Sequence, residues 1–303
     1  MDNSADEMLH SDGIVDVSVD VSVVVAAHNA ESTLGDQLEA LAGQTWERSW
    51  EIVVVDNGST DSTARLVHAW TTRNPRVRLV DASQGRGPAY ARNAGARSAR
   101  GASLLFCDAD DVVGQGWVAA LGNALADATF VAGPVELRRL NPAWLADSRG
   151  TTGTEAIAEF DHRFPFASSC NWGIERSRFL EMGGFDEALT VGEDIDLSMR
   201  LHFSHVPLMF VRDATVHYRF RPTMGATFER AIAYGAARPV IAERWRSRGG
   251  EPISRWAGVR NWLWLIRHLG ALRGRSGRAR WLWVAGQRLG TLQGAWRVRR
   301  LYI

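Results

Sequence analysis

Lysine is absent from this 303-residue sequence, and all 35 residues counted as Lys or Arg are arginines. The chain therefore has no Walker A loop, which needs a lysine beside its phosphates, and no lysine amine for Schiff-base chemistry. Cysteine is scarce as well, because only Cys107 and Cys170 occur, and their separation fits neither a metal-ligand spacing nor a disulfide framework. We expect both cysteines to pack in the interior of a protein from a reducing compartment.

Long apolar runs are also missing, and none approaches the ~20 residues that a membrane-spanning helix requires. Residues 1–17 are polar and acidic without the apolar core of a signal peptide, so we expect a flexible leader on a cytoplasmic protein. Charge is unevenly distributed: residues 1–220 contain 18 arginines and 31 acidic residues, whereas residues 221–303 contain 17 arginines and three acidic residues. The two parts are therefore expected to face different partners.

Strand and helix patterns alternate over residues 18–125. Two β-branched apolar runs, 21–27 and 51–55, are typical of strands buried on both faces of a parallel sheet. The other predicted helices and strands of this part are 31–42, 61–67, 76–80, 88–99, 103–107 and 117–125. This alternation predicts an α/β fold in which a mostly parallel central sheet has helices on both faces. The pattern becomes mixed after residue 125, and beyond residue 220 it predicts helices alone.

An apolar segment at 104–107 ends abruptly in the carboxylates of Asp108, Asp110 and Asp111. Carboxylates this close repel one another, so they are stable together when a cation or bound protons neutralise them. In open α/β sheets ligands bind beyond the carboxyl ends of the strands, which is where this cluster is predicted to lie. The sequence therefore predicts a divalent metal site that holds phosphates.

Polar side chains also follow the second predicted strand and lead into the next helix. Asp56 could accept the imide N–H of a uracil or thymine ring and Asn57 offers a donor and an acceptor, although a tight turn with a helix cap would explain both residues equally well. Arg86 and Arg92 lie on and after a glycine-rich loop, where a guanidinium and free backbone N–H groups favour a diphosphate. Exposure to solvent is the alternative for Arg86, so Arg92 is the stronger candidate.

Acidic residues begin a predicted helix near residue 193. Asp196 and Arg200 are spaced for an ion pair within that helix, so both are expected to be structural. Glu193 and Asp194 remain candidates, because a carboxylate without a partner at a cleft can take a proton from an attacking hydroxyl. His217 follows a short strand-like run and is either a hydrogen-bonded histidine or a metal ligand beside the acids.

The ordered set of motifs resembles inverting family 2 glycosyltransferases with the GT-A fold. The motifs are VSVVVAAHN at 21–29, VDNGSTD at 55–61, ARNAG at 91–95, DADD at 108–111, GGFDE at 183–187 and GEDIDL at 192–197. The resemblance implies an αβα sandwich as the catalytic domain at 18–220, with a nucleotide-binding half at 18–125 and an acceptor half at 126–220. An Arg- and Trp-rich helical extension follows at 221–303.

The same resemblance implies roles for single residues. The donor nucleotide sugar would contact Ala27, Asn29, Asp56, Asn57, Arg92, Asp108 and Ala109. Asp110 and His217 would hold a divalent cation, Mn²⁺ or Mg²⁺, and Asp194 would be the catalytic base. The sequence departs from the family pattern at Ala27 and His28, where relatives often have proline and tyrosine; this concerns the loop near the base and leaves the chemistry intact.

The implied reaction is a single displacement. Asp194 would deprotonate a hydroxyl of a glycan or lipid-linked acceptor, and the oxygen would attack the anomeric carbon of a UDP-, dTDP- or GDP-sugar with inversion. A haloacid-dehalogenase-type phosphatase with Asp108 as nucleophile fits the same DxDxV pattern, but the lysine that commonly balances its charge is missing. The cluster also comes after three earlier strands instead of at the first strand. A non-catalytic sugar- or partner-binding member of the fold is the other alternative, which the presence of all the acids disfavours.

Residues 221–303 contain seven of the 13 tryptophans and two apolar stripes at helical spacing. One stripe is Val259, Trp262, Leu263, Ile266 and Leu269, and the other is Ala285, Leu289, Leu292 and Trp296. The interleaved arginines are typical of helices at an anionic membrane surface, which predicts peripheral attachment to the inner face of the cell membrane. Packing of both stripes on the catalytic domain is the alternative, and nucleic-acid binding is disfavoured because no nucleic-acid motif is present.

Overall fold

Strands and helices alternate through the first part of the chain, as the sequence predicted. The computed structural model describes residues 19–150, 154–254, 256, 258–300 and 302, so the predicted leader at 1–17 lies outside the described residues. The elements of this part are β1 (Val19–Ala27), α1 (Leu34–Ala42), β2 (Trp50–Asp56), α2 (Thr63–Arg73), β3 (Val77–Asp81), α3 (Pro88–Ser98) and β4 (Gly101–Asp108).

Shorter elements follow, several of which have too few residues to show a periodicity in the sequence. They are β5 (Val112–Val113), α4 (Trp117–Ala124), β6 (Phe130–Ala132), β7 (Val135–Glu136), α5 (Ala143–Ala146), β8 (Ala158–Phe160), β9 (Phe164–Phe166), β10 (Trp172–Glu175), α6 (Arg176–Glu181), α7 (Glu193–Phe203), β11 (Leu208–Phe210) and β12 (Val216–His217). The last part contains α8 (Met224–Ser247), α9 (Val259–Arg267), a 3₁₀ helix (Leu269–Arg273) and α10 (Arg275–Arg297).

A seven-stranded sheet forms the centre of the molecule, in the order β11-β6-β10-β4-β1-β2-β3. Neighbouring strands in the run β4-β1-β2-β3 are parallel, and β11 is parallel to β6. Strand β10 is antiparallel to both β4 and β6. A small second sheet, β5-β12-β7, and a β8-β9 pair complete the strands. The prediction of a mostly parallel central sheet is therefore confirmed.

Apolar side chains cover both faces of the central sheet, which explains the continuous β-branched runs. Val23 and Val25 pack in one layer with Leu38 of α1, while Val24 packs in the opposite layer with Phe179 of α6. Successive residues of a strand point to opposite faces, so a strand buried on both sides needs an apolar residue at every position. The structure is thus an αβα sandwich, with helices on both faces of the sheet.

Helices α8 and α10 form a hairpin whose contact surface is made of small residues. Gly286, Gly290 and Gly294 recur at four-residue intervals on α10, and each faces atoms of α8. A Cβ atom on Gly290 would lie 2.0 Å from the carbonyl oxygen of Ile232, a distance that real Cβ atoms do not reach. Glycine at this position therefore lets the two backbones approach closely. The hairpin joins the sandwich through a third apolar cluster, in which Trp245 of α8 packs near α7.

The packing face of α10 is therefore not the apolar stripe that the sequence predicted. The exposed members of the two stripes are Leu263, Ile266, Leu269, Leu289, Leu292 and Trp296, called the exposed apolar set below. Trp296 is 84% exposed and Ile266 is 67% exposed. Packing of both stripes on the catalytic domain is thus wrong for most of their members. Among the described residues, none of the helices combines the length and the apolar character needed to cross a bilayer.

Candidate functional site

The carboxyl ends of the parallel strands bring the predicted site residues to one edge of the central sheet. Ala27 at the end of β1 lies opposite Asp56 at the end of β2. On the other side of β1, Ala26 lies opposite Asp108 at the end of β4. Since these strand ends are in register, the loops that follow them share the crevice where α/β proteins bind ligands.

Three carboxylates gather after β4. Asp108, Asp110 and Asp111 each offer one oxygen, and these oxygens lie within 4.8 Å of one another. Burial, together with the charge of Asp108, raises the pKa of Asp110 and of Asp111 above the usual value for aspartate. The cluster is therefore electrostatically strained, and binding of a cation would relieve the repulsion.

Asp111 shows most clearly that the cluster suits a hard cation. Its side chain is fully buried, and its Oδ1 accepts a hydrogen bond from the backbone N–H of Arg219 at 2.7 Å. Its Oδ2 is buried without a hydrogen-bond partner among the described residues. Carboxylate oxygens are the ligands that Mg²⁺ and Mn²⁺ prefer. A bound cation would supply the partner that the buried Oδ2 of Asp111 lacks.

Arg92 of α3 is buried between the two halves of the predicted catalytic domain. Its Nη2 donates to Oδ1 of Asp108 at 2.5 Å, and its Nη1 donates to Oε1 of Glu193 at 2.9 Å. Both terminal nitrogens of Arg92, which was predicted to bind the diphosphate, thus donate to protein carboxylates. In this arrangement Arg92 acts on the site through the two acids that it holds together. Arg86, by contrast, is exposed on the glycine-rich loop.

Asp194 is the second residue of α7, and backbone groups fix its carboxylate. Its Oδ2 accepts a hydrogen bond from the N–H of Ser169 at 3.0 Å, and its Oδ1 accepts one from the N–H of Ile195 at 2.8 Å. Burial raises the pKa of Asp194 above its ordinary value, although these hydrogen bonds and the charge of Arg92 oppose the rise. The carboxylate is therefore a stronger base than a solvated aspartate.

The other acids at the start of α7 have protein partners. Burial and the charge of Asp194 raise the pKa of Glu193 to about 7, with Arg92 opposing the rise. Asp196 pairs with Arg200 at 2.8 Å and with Arg244 at 2.9 Å, which confirms its structural role. Asp194 is therefore the acid of this helix that is placed for chemistry.

The polar residues Asp56 and Asn57 at the end of β2 make the contacts of the predicted turn. Oδ1 of Asp56 accepts the backbone N–H of Ser59 at 3.1 Å, as the predicted turn requires. The side-chain amide of Asn57 donates to the carbonyl oxygens of Ala82 and Gly85 and accepts from the N–H of Gly87. Asn57 thus fastens the glycine-rich loop to the strand end, so Asp56 has more free hydrogen-bonding capacity for a ligand.

Strand pairing places His217 opposite Val112, directly after the acids, but its imidazole has other partners. Its Nδ1 contacts Oε2 of Glu136 at 2.9 Å, and its Nε2 contacts Nη1 of Arg139 at 2.9 Å. Within the described ranges, the group of metal-ligating side chains consists of Asp108, Asp110 and Asp111. Strand β12 lies between β5 and β7, and the imidazole contacts the β7 side. The predicted role of His217 as a metal ligand therefore stays a prediction, to which these contacts lend no support.

Two adjoining cavities open at this edge. The first cavity has a volume of about 640 Å³, and Asn29, Ala109 and Asp110 contribute to its lining. The second cavity has a volume of about 490 Å³ and is lined in part by α8 and α10. Asp108 and Asp194 line both cavities. Asp194 therefore stands at the boundary between two spaces that a donor and an acceptor could occupy.

The C-terminal extension also contributes to the site, which no motif predicted. Arg230, Tyr234 and Trp283 of this extension line both cavities. Other residues that line both and were not identified from the sequence are Arg149, Ser169, Tyr218 and Phe220. Arg221 and Arg230 lie close enough to Asp110 to lower its pKa electrostatically. The one feature of the sequence that could have indicated this contribution is the opposite net charge of residues 1–220 and 221–303. In the structure, arginines of the second part lie near acids of the first.

Comparisons with known proteins give the same picture. A family model described as glycosyl transferase family 2 matches residues 22–183, more than half of the chain. The succinoglycan biosynthesis protein ExoO of Rhizobium meliloti (strain 1021) is 34% identical over 193 residues, which cover 59% of this chain and 55% of ExoO. Glycosyltransferase AglE of Haloferax volcanii is 26% identical over 207 residues, covering 67% of each chain. The chain thus spans little more than half the length of ExoO.

A solved structure supports the fold. The mannosyltransferase PcManGT from Pyrobaculum calidifontis, determined in complex with GDP-Man and Mn²⁺, aligns with a TM-score of 0.61 at 18% identity. The alignment covers 91% of this chain and 87% of PcManGT, so the likeness includes most of the C-terminal extension. With the family model, the sheet order and the strand-end acids in agreement, the chain belongs to glycosyl transferase family 2 and has the GT-A fold.

Proposed function

We propose that this protein transfers a sugar from a nucleoside-diphosphate donor to an acceptor hydroxyl, with inversion and with dependence on a divalent cation. The observation that carries the proposal is the position of Asp194, whose partly buried carboxylate lines both cavities while the Asp108, Asp110 and Asp111 cluster lies at the first one. This arrangement supports the donor in the first cavity and the acceptor in the second.

The first cavity has the charges that a nucleotide sugar needs. Asp110 and Asp111, with Asp108, would hold Mn²⁺ or Mg²⁺, which when bound offsets the negative charge of the diphosphate. Arg221 and Arg230 face the same acids and would supply further positive charge to the diphosphate. Asp56 would accept the imide N–H of a uracil or thymine base at the end of β2. Asn29 and Ala109 line this cavity and would shape its floor, and the buried Ala27 would support it from the end of β1.

Asp194 would perform the proton transfer. Its carboxylate takes the proton of the acceptor hydroxyl as the oxygen forms a bond to the anomeric carbon. The bond between that carbon and the phosphate oxygen breaks at the same time, and the nucleoside diphosphate leaves with the electron pair. A single displacement from the opposite face inverts the anomeric configuration. The raised pKa of Asp194 brings its basicity closer to what general-base catalysis at neutral pH requires.

A transfer assay with Asp194→Ala tests this assignment. UDP-, dTDP- and GDP-sugars are first screened with Mn²⁺ by thermal shift to find the donor, and the variant is then assayed with that donor. We expect normal donor binding and a loss of transfer of about 10²–10⁴-fold, the usual contribution of a general base. Asp213→Asn, at an exposed residue, is the matched control. Near-normal transfer by Asp194→Ala would remove Asp194 from the mechanism.

Neither alternative function gains support from the structure. In a phosphatase Asp108 would have to be a free nucleophile, but it is ion-paired with Arg92 at 2.5 Å. The family match also runs through this strand and its acids. A non-catalytic binding protein would have no need of a carboxylate between the two cavities, where Asp194 lies. Metal-dependent hydrolysis of a nucleotide sugar separates the enzyme from the binding protein.

We also propose that the exposed apolar set attaches the protein to the inner, anionic face of the cell membrane. Ile266 is 67% exposed on α9, where the exposed Arg260 and Arg267 flank the apolar residues. Such helices insert apolar side chains between lipid headgroups while arginines contact the phosphates.

Cosedimentation with vesicles tests membrane attachment. We expect binding to phosphatidylglycerol vesicles at low salt and weaker binding at high salt. Ile266→Ser should reduce the affinity roughly tenfold, because burying such a side chain contributes about 1.5–3 kcal/mol. Met209→Ser, at an exposed apolar residue of β11, is the control. Equal binding to phosphatidylcholine, or no binding at low salt, would contradict the proposal.

A further inference from the structure

The second cavity is lined by four arginines and four acids, and three of the acids have partners other than these arginines. Four arginines line it: Arg149, Arg230, Arg238 and Arg288. Its lining acids are Asp108, Glu159, Asp161 and Asp194. Asp108 is paired with Arg92, Asp194 is held by backbone N–H groups, Glu159 lies 3.4 Å from His162, and Asp161 pairs with Arg238. Arg149, Arg230 and Arg288 therefore have no ion-pair partner among the residues that the structure describes.

Arg149 is held rigidly but is poorly satisfied. Its guanidinium lies 3.7 Å from the centre of the Trp283 ring and 5.0 Å from that of Phe220. Its single hydrogen bond within the described chain is a long one, from Nη2 to Oγ1 of Thr227 at 3.4 Å, while Nε and Nη1 are buried without partners. Burial lowers the pKa of Arg149 to about 10, which reflects the unfavourable environment of this cation. A bound anion would remove that penalty.

Arg288 of α10 is a second uncompensated cation at the same cavity. It is 3% exposed, and its Nε is buried with no hydrogen-bond partner in the described part of the chain. Burial and the neighbouring charge of Arg238 lower its pKa, whereas Asp161 raises it. One carboxylate thus faces two arginines. A buried arginine without an ion-pair partner destabilises the folded protein. A bound anionic ligand would supply the missing partner.

The donor does not account for this charge. Arg230 and Arg149 line both cavities, and Arg230 is close enough to Asp110 to serve the donor diphosphate. Arg288 and Arg238 line the second cavity and are not among the residues of the first. Aromatic side chains, including Phe166 and Trp283, line the second cavity as well and offer flat surfaces to a sugar ring.

We propose that the acceptor of this enzyme carries an anionic group, a phosphate or a carboxylate, which Arg149 and Arg288 bind while the reacting hydroxyl lies at Asp194. This inference rests on the proposed transfer reaction, since it assigns the second cavity to the acceptor. A guanidinium group is well suited to either anion, because it can form two parallel hydrogen bonds with the anion's oxygens.

Matched pairs of acceptors test the inference with the full chain, Mn²⁺ and the donor found by thermal shift. Octyl glucoside is compared with octyl glucuronide for a carboxylate, and glucose with glucose 6-phosphate for a phosphate. We expect at least a tenfold higher kcat/KM for one anionic member than for its neutral partner. If the donor is hydrolysed but neither anionic acceptor is preferred over its neutral partner, the proposal of an anionic acceptor alone is refuted. If the donor is not hydrolysed at all, the proposed function is refuted as well.

Arg288→Met distinguishes ligand binding from a structural role. The substitution removes an uncompensated buried charge while retaining an apolar side chain, so the melting temperature should stay equal or rise. The KM for the preferred anionic acceptor should rise by roughly 10–100-fold, as expected for the loss of a charged hydrogen bond. Arg278→Gln, at an exposed residue of α10 outside both cavities, is the control. A lower melting temperature with unchanged acceptor preference would assign Arg288 a structural role and overturn the proposal.

Discussion

Removal of Arg92 is the substitution that most directly connects the stability of the fold with the site. Its side chain is 5% exposed and bridges Asp108 and Glu193, which belong to β4 and α7. In Arg92→Met both carboxylates lose their cation while remaining enclosed. Removing one partner of a buried ion pair costs about 3–5 kcal/mol. For a chain of this length each kcal/mol lowers the melting temperature by about 2–4 °C, so a fall of about 6–20 °C is expected.

The pH dependence of this loss has a definite sign. The pKa of Glu193 is raised to about 7, so its ionised form is the unfavourable one in the folded protein, and Arg92 limits that effect. Without Arg92 the pKa of Glu193 rises further. Below about pH 7 the Glu193 carboxyl is neutral in the original protein and in the Arg92→Met variant. The difference in melting temperature between the two should therefore be largest above pH 7 and should shrink as the pH falls.

Arg78→Met is the matched control for these measurements. Arg78 forms an ion pair with the buried Glu51 at 2.7 Å, in the same sheet but outside both cavities. Both variants should lose stability in thermal denaturation, but Arg92→Met alone should also weaken binding of the donor, because it releases Asp108. Equal donor affinity in the two variants, or a stability loss for Arg92→Met that does not change with pH, would refute the role assigned to Arg92.

Three further predictions follow from the same contacts. The kcat/KM of transfer should decrease as the pH falls, with a midpoint above the ordinary pKa of aspartate, because Asp194 must be unprotonated and its pKa is raised; a pH–rate profile checks this. Mn²⁺ at a hundredfold excess over its Kd should stabilise the protein by about 2.7 kcal/mol in thermal denaturation, and Asp111→Asn should abolish most of that gain. Gly290→Ala should destabilise the α8–α10 hairpin by about 2 kcal/mol or more, since its Cβ would overlap a backbone oxygen. Gly270→Ala, where no atom lies within 4 Å of the added Cβ, is the control in the same denaturation assay.

The sequence could predict the central sheet because each buried strand has an unambiguous pattern. In β1 every residue from Val21 to Val25 faces an apolar layer except Ser22, which bonds to Glu51. The acids of the site were equally predictable, since carboxylates directly after such strands must meet at one edge of the sheet. Parallel register then brings Asp56 and Asp108 next to the end of β1.

Side-chain partners were less predictable, because they depend on contacts between distant segments. Nothing near Arg92 in the sequence indicates Glu193, and nothing near His217 indicates Glu136. In the extension, hydropathy drew attention to leucines and tryptophans, whereas glycines form the packed face of α10. The four-residue spacing of Gly286, Gly290 and Gly294 was the signal for close helix packing, and it is independent of hydropathy.

The central claim is that the carboxylates after β4 hold a divalent cation for a nucleoside diphosphate. Isothermal titration calorimetry with UDP, dTDP and GDP, each with and without Mn²⁺, tests this claim most directly. The same titrations are repeated with the Asp110→Asn variant. We expect Mn²⁺ to strengthen the binding of at least one nucleotide by tenfold or more, and we expect the Asp110→Asn variant to lose this enhancement. Equal binding with and without Mn²⁺, unchanged in the variant, would contradict it.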